Sequence, residues 1–157
     1  MTTPGDALAA RWRRLDARVQ EVRAGVDSAD PHQCPDAVAG ALDALYDLWE
    51  FWTTSAQLTS RGADDRVRGE SGGELTAALV HARGGKSHEA VEFGDFTDTY
   101  SDSYFSHYGY WRWQAHSDPK SRFAERDAWY AAHVAHQEVL PVLETALTWL
   151  RQQPELH

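Results

Sequence analysis

The sequence predicts an all-α fold, a bundle of four main helices with an aromatic-rich irregular insertion before the last long helix. Two observations lead there. Apolar residues recur at steps of three and four through three long segments, and clusters of Pro, Gly, Asp and Ser interrupt that period between them.

The first segment carries Leu8, Trp12, Leu15, Val19, Val22 and Val26 at helical spacing, with Thr3 as its N-cap and Pro4 in the first helical position. Its outward positions hold Arg11, Arg13, Arg14, Arg18 and Arg23, read as a solvated face paired with acids such as Asp16 and Glu21, or alternatively as a phosphate-facing stripe. After the break from Asp27 to Pro35, a second helix runs from Asp36 to Ser60 on Val38, Leu42, Leu45, Trp49, Trp52 and Ala56. Residues 61–73 are nearly devoid of apolar side chains and read as a mobile connection. Ser71 and Glu74 have capping-box spacing, Leu75, Leu79 and Val80 begin a third helix, and Gly84 with Gly85 ends it. From Phe93 to Trp113, nine aromatic residues alternate with Ser, Thr, Asp and Gly; the segment reads as mostly irregular, with Tyr110 to Trp113 a candidate extended stretch. The last long helix starts at Phe123 with the seam Trp129, His133, His136, Leu140, Leu143, Leu147 and Leu150, continuing through Pro141 with a kink.

A chain of 157 residues with 42% hydrophobic composition suits a single domain spanning residues 1–157. Its formal charge of −9 argues against tight nonspecific binding to a polyanion. A single cysteine, Cys34, leaves no internal disulfide framework or thiolate zinc cluster within one chain. With neither a cationic leader nor a long apolar run, the expected location is cytoplasmic, away from a membrane.

The element from Ala82 to His88, Ala-Arg-Gly-Gly-Lys-Ser-His, is the leading candidate for chemistry. Arginine offers a fixed fork of donors to a phosphate, and histidine titrates near neutral pH. In RNA cleavage the histidine deprotonates the ribose 2′-hydroxyl or protonates the leaving oxygen while the arginine stabilises the charged phosphorane, without a metal. Spacing alone does not single out this pair, since Arg126 with His133 and Arg151 with His157 stand at similar separations. Context does: Arg83 follows an apolar helical turn, lies at a glycine-marked helix end and precedes the aromatic segment. Arg83 and His88 are therefore the catalytic candidates, and Lys86 and Arg112 the substrate-binding ones.

The Leu-Val-His-Ala-Arg run leading to His88, the Trp-Arg-Trp at Trp111 to Trp113, and the Ala-Trp-Tyr-Ala-Ala-His of the last helix together resemble the HEPN superfamily, in particular a group of uncharacterised bacterial HEPN-like proteins. The likeness covers Glu74 to Leu150. It implies a helical bundle, commonly a homodimer that brings two Arg and His pairs into one cleft, and often metal-independent endoribonuclease activity in toxin–antitoxin or phage-defence systems. RNA, an antitoxin or another protein is then the expected partner, and no cofactor is called for. The superfamily also includes binding scaffolds, and Gly84 stands where many active members carry Asn, Asp or His. A noncatalytic helical interaction module is thus the alternative.

Other clusters point to structure. His133 and His136, with His81 and Glu138 as possible companions, invite a metal reading, but their place on a leucine seam makes them histidines flanking the core. The acidic run of Glu89, Glu92, Asp95, Asp98 and Asp102 lacks the spacing and glycine of a calcium loop and reads as solvated surface. Tyr and Trp near Arg112 either stack bases or, the favoured reading, cover the bundle core or a dimer interface.

Overall fold

Thr3 caps the first helix through both halves of a capping box, its hydroxyl accepting from the Asp6 N–H at 3.1 Å and the Asp6 carboxylate accepting from the Thr3 N–H at 3.0 Å. The resulting helix α1 (Pro4–Val26) buries Leu8, Leu15, Val19 and Val22, the stripe its spacing predicts. The computed structural model describes residues 3–83, 89–95, 109–115 and 123–157. Helix α2 (Gln33–Ser55) begins three residues earlier than its periodicity suggests and packs along α1. The turn between them is tight: a Cβ on Gly25 would stand 2.9 Å from the Cys34 Cα. The arginines on α1 are tied to carboxylates. Arg11 and Arg14 face Asp47, Arg18 pairs with Glu21 as expected, and Arg23 with Glu144, whereas Asp16 is held by Arg151 rather than by the face.

The stretch expected to be a mobile connection is helical over α3 (Ser60–Val67), with the Thr59 hydroxyl accepting from the Gly62 N–H at 3.0 Å. Its two apolar side chains, Ala63 and Val67, are both buried, so a short helix needs little more than a cap and two anchors when neighbours cover it. Helix α4 (Ser71–Arg83) then runs through the centre, buried from Leu75 to Val80 without a break. Glu74 does clamp its start, but by accepting from the Gly69 N–H at 2.9 Å, outside the Ser71 box that the spacing suggests.

The aromatic segment is not irregular at its two ends. Strands β1 (Val91–Asp95) and β2 (Gly109–Trp113) pair antiparallel, with Val91 opposite Trp113 and Phe93 opposite Trp111; residues 96–108 lie outside the described residues. Val91, Trp111 and Trp113 face inward, as the two-residue period of a strand requires.

The last segment is two helices, α5 (Ala124–His133) and α6 (Val139–Leu150), rather than one kinked at Pro141. The hairpin decides this. Trp113 donates its N–H to the Gln137 carbonyl at 2.9 Å and accepts from the His136 N–H at 2.8 Å, an arrangement a continuous helix cannot offer. His136 adopts φ of 65° and is exposed, off the expected seam. Pro141 sits in the first turn of α6, where its missing N–H has no helical partner to lose. A 3₁₀ turn, Pro154–Leu156, closes the chain.

The fold is thus predominantly α-helical, but with six α-helices among the described residues in place of the four main ones expected. Helices α1 and α2, α2 and α4, α4 and α6, and α6 and α1 pack in pairs, while α5 lies against α4. One core joins them, with Trp49, Trp52 and Trp149 meeting at ring separations of 4.9 to 6.2 Å.

Candidate functional site

A cleft of about 380 Å³ opens between α2, the start of α3, the end of α4 and the start of α5. Helix α2 supplies Tyr46, Trp49, Glu50 and Thr53, and α4 supplies Val80, His81 and Arg83 from its last turn. Phe123 and Arg126 enter from the beginning of α5. Because α4 is buried from Leu75 to Val80, its polar side chains reach the surface toward its two ends, His81 and Arg83 at the C-terminal one. Cations there are also favoured by the helix dipole.

Arg83 donates from Nε to Asp43 Oδ1 at 2.7 Å, and its guanidinium carbon lies 4.2 Å from the centre of the Tyr46 ring. The carboxylate holds the guanidinium protonated, above its already high ordinary range. The side chain remains 39% exposed, and its terminal nitrogens make no hydrogen bond to another described residue. The stacked, half-open guanidinium is therefore oriented without being closed off.

Arg126 is the more constrained cation. Its side chain is only 8% exposed, donates from Nε to Asp64 Oδ1 at 2.8 Å and lies against Phe123 at 5.2 Å and Trp49 at 5.7 Å. Its terminal nitrogens have no hydrogen-bond partner among the described residues, and they belong to a side chain that lines the cleft. Those nitrogens are not buried unpaired atoms but meet the cleft, where an anion can take the place of solvent.

The imidazole on the cleft wall is His81, whose Nε2 faces Asp127 Oδ1 at 2.8 Å from the first turn of α5. Tyr46 donates its hydroxyl to Glu50 Oε1 at 2.6 Å, which raises the Tyr46 pKa above the ordinary tyrosine value. The cleft thus gathers two guanidinium groups, a carboxylate-held imidazole, a carboxylate and aromatic walls. Groups of these kinds are chemically able to bind an anion, orient a ring and hold a proton.

Of the residues singled out by sequence, Arg83 lies in this cleft, while Lys86 and His88 fall outside the described residues. Arg112 does not line the cleft; on β2 it pairs across the hairpin with Glu92 at 3.0 Å. The histidines of the metal reading do not converge. His81 faces Asp127 in this cleft, His133 faces Glu74 Oε2 at 2.8 Å beside a different depression, and no group of metal-ligating side chains occurs among the described residues. Sequence reasoning missed Arg126, His81 and Tyr46 as site residues. Arg126 is half of a chance pair with His133 in the sequence, and only the fold brings Trp49 of α2 and Asp64 of α3 to its side chain.

Comparison of the chain with family models, curated proteins and solved structures finds no match. Among the described helices, none is long and apolar enough to cross a membrane.

Proposed function

We propose that the chain is a metal-independent endoribonuclease that holds the scissile phosphate in the cleft between α2, α4 and α5. The observation that carries this reading is Arg126, a nearly buried guanidinium in a cleft wall, with terminal nitrogens that no described residue satisfies. Arg83 adds a second fork at the rim. Together they bind the nonbridging oxygens and stabilise the charge that builds as the ribose 2′-oxygen attacks phosphorus. One imidazole takes the 2′-hydroxyl proton. The bond to the 5′-oxygen then breaks, and a second group returns a proton to that oxygen, leaving a cyclic phosphate and a free hydroxyl. His88, from the Arg and His pattern, and His81, on the cleft wall, are the imidazoles assigned to these steps. The homodimer and a cytoplasmic role in stress or defence belong to the same reading and rest on the resemblance to the HEPN superfamily.

The test is cleavage of a mixed RNA pool in EDTA by the wild type and by Arg83→Ala, His81→Gln and His88→Ala, each checked for folding by circular dichroism. Arg83→Ala is expected to lose about 100-fold in rate. An inert wild type, or equal cutting by every variant, overturns the proposal.

A noncatalytic interaction module is the second reading. It is favoured by Phe93, 53% exposed on β1 and standing edge-on to Trp111, and by the carboxylate that each cleft arginine already holds. An inert, correctly folded wild type would select it.

A further inference from the structure

The cleft presents two chemically different kinds of group, with the Glu50 charge acting on the Arg83 guanidinium. Arg83 and Arg126 present guanidinium nitrogens, whereas Glu50 presents a carboxylate held at one oxygen by Tyr46. Glu50 Oε2 makes no hydrogen bond to another described residue, and Oε1 keeps a lone pair after accepting from Tyr46. A ligand that complements both carries an anion and two adjacent hydrogen-bond donors.

Among the four RNA bases, guanine alone offers two adjacent donors on its Watson–Crick edge, N1–H and the exocyclic N2–H. Adenine and cytosine place a ring acceptor beside their amino group, which a carboxylate repels, and uracil flanks its one donor with two carbonyls. Phe123 adds an aromatic wall of the kind used in single-stranded base recognition, while the Tyr46 ring already carries the Arg83 guanidinium. The volume of about 380 Å³ falls in the range of small-ligand sites.

We infer that the cleft is selective for guanine nucleotides, with Glu50 reading the base edge and Arg83 with Arg126 holding the phosphate. This inference rests on the phosphate-binding part of the proposed function, yet it requires no cleavage. Glu50 is a specificity-determining residue in it, and Tyr46 a positioning residue that acts by fixing Glu50.

The test is direct binding in EDTA, by calorimetry, of guanosine, adenosine, cytidine and uridine monophosphates and of inorganic phosphate to the full chain. The wild type is expected to bind the guanosine nucleotide about tenfold or more tightly than the other three. Glu50→Gln is expected to remove that preference by weakening the guanosine nucleotide and strengthening the adenosine nucleotide, whose ring acceptor the amide N–H meets, and Tyr46→Phe to reduce the preference in part. Arg83→Ala should weaken all four nucleotides alike. Equal binding of the four by the wild type overturns the guanine assignment and leaves the phosphate cleft standing. No binding of any nucleotide at millimolar concentration overturns both. Guanine-selective binding by a protein that leaves the RNA pool uncut supports this inference and overturns the nuclease.

Discussion

Asp64 lies 2.8 Å from Arg126 Nε, and the two side chains are 14% and 8% exposed. Removing the acid leaves a nearly buried guanidinium without its charge partner, which is costlier than removing the cation and filling its space with an apolar side chain. Asp64→Ala is therefore expected to destabilise the protein by about 3 kcal/mol, and Arg126→Leu by less, in urea titrations followed by tryptophan fluorescence. The reverse order would show that the pair is solvated.

Gly73 tests how closely α4 approaches its neighbours. A Cβ there would meet the Val67 Cβ at 2.9 Å and the Trp149 ring at 3.1 Å, so Gly73→Ala forces either α3 or α6 to move. The expected cost is about 1–3 kcal/mol despite the better helix propensity of alanine. An unchanged melting temperature would mean that this contact relaxes freely.

The break between α5 and α6 turns on His136, an exposed residue at φ of 65°. Glycine accepts that conformation and a β-branched residue resists it. Thermal unfolding should show His136→Gly at or above wild-type stability and His136→Val lower by about 1–2 kcal/mol. If valine were tolerated as well as glycine, the two helices would have merged.

Glu74 joins the start of α4 to the end of α5, accepting from the Gly69 N–H with one oxygen and facing His133 with the other. The Gly69 bond first, and then His133, hold the Glu74 pKa below the ordinary glutamate range. With the folded value depressed, its contribution is complete above the unfolded pKa and is lost as pH falls through the folded one. Acid unfolding of Glu74→Gln should accordingly show a weaker pH dependence than wild type below the ordinary glutamate pKa. Identical slopes would place the acid sensitivity elsewhere.

Cys34 is fully buried at the α1 to α2 turn, and burial pushes its thiol pKa up to about 12. It should resist a thiol reagent at pH 8 in the native protein and react stoichiometrically in denaturant. Prompt labelling without denaturant would reveal local opening of that turn.

Local signals carried much of this fold because they need only neighbouring residues. Thr3, Pro4 and the three-and-four spacing from Leu8 to Val22 specify α1 with its cap and buried face, and the same period marks α2 and α6. The sequence also singled out Arg83. Its limits appear where one element answers to another distant in the chain: α3 is helical because neighbours cover Ala63 and Val67, and the seam through His136 breaks because Trp113 bonds to that segment's backbone. The cleft is of the second kind. Tyr46, His81 and Arg126 carry no shared spacing, and tertiary packing alone assembles them. Helical period encodes which face of an element is buried; which side chains from different elements then share a cleft, and whether a guanidinium among them keeps open donors, depends on how those faces meet.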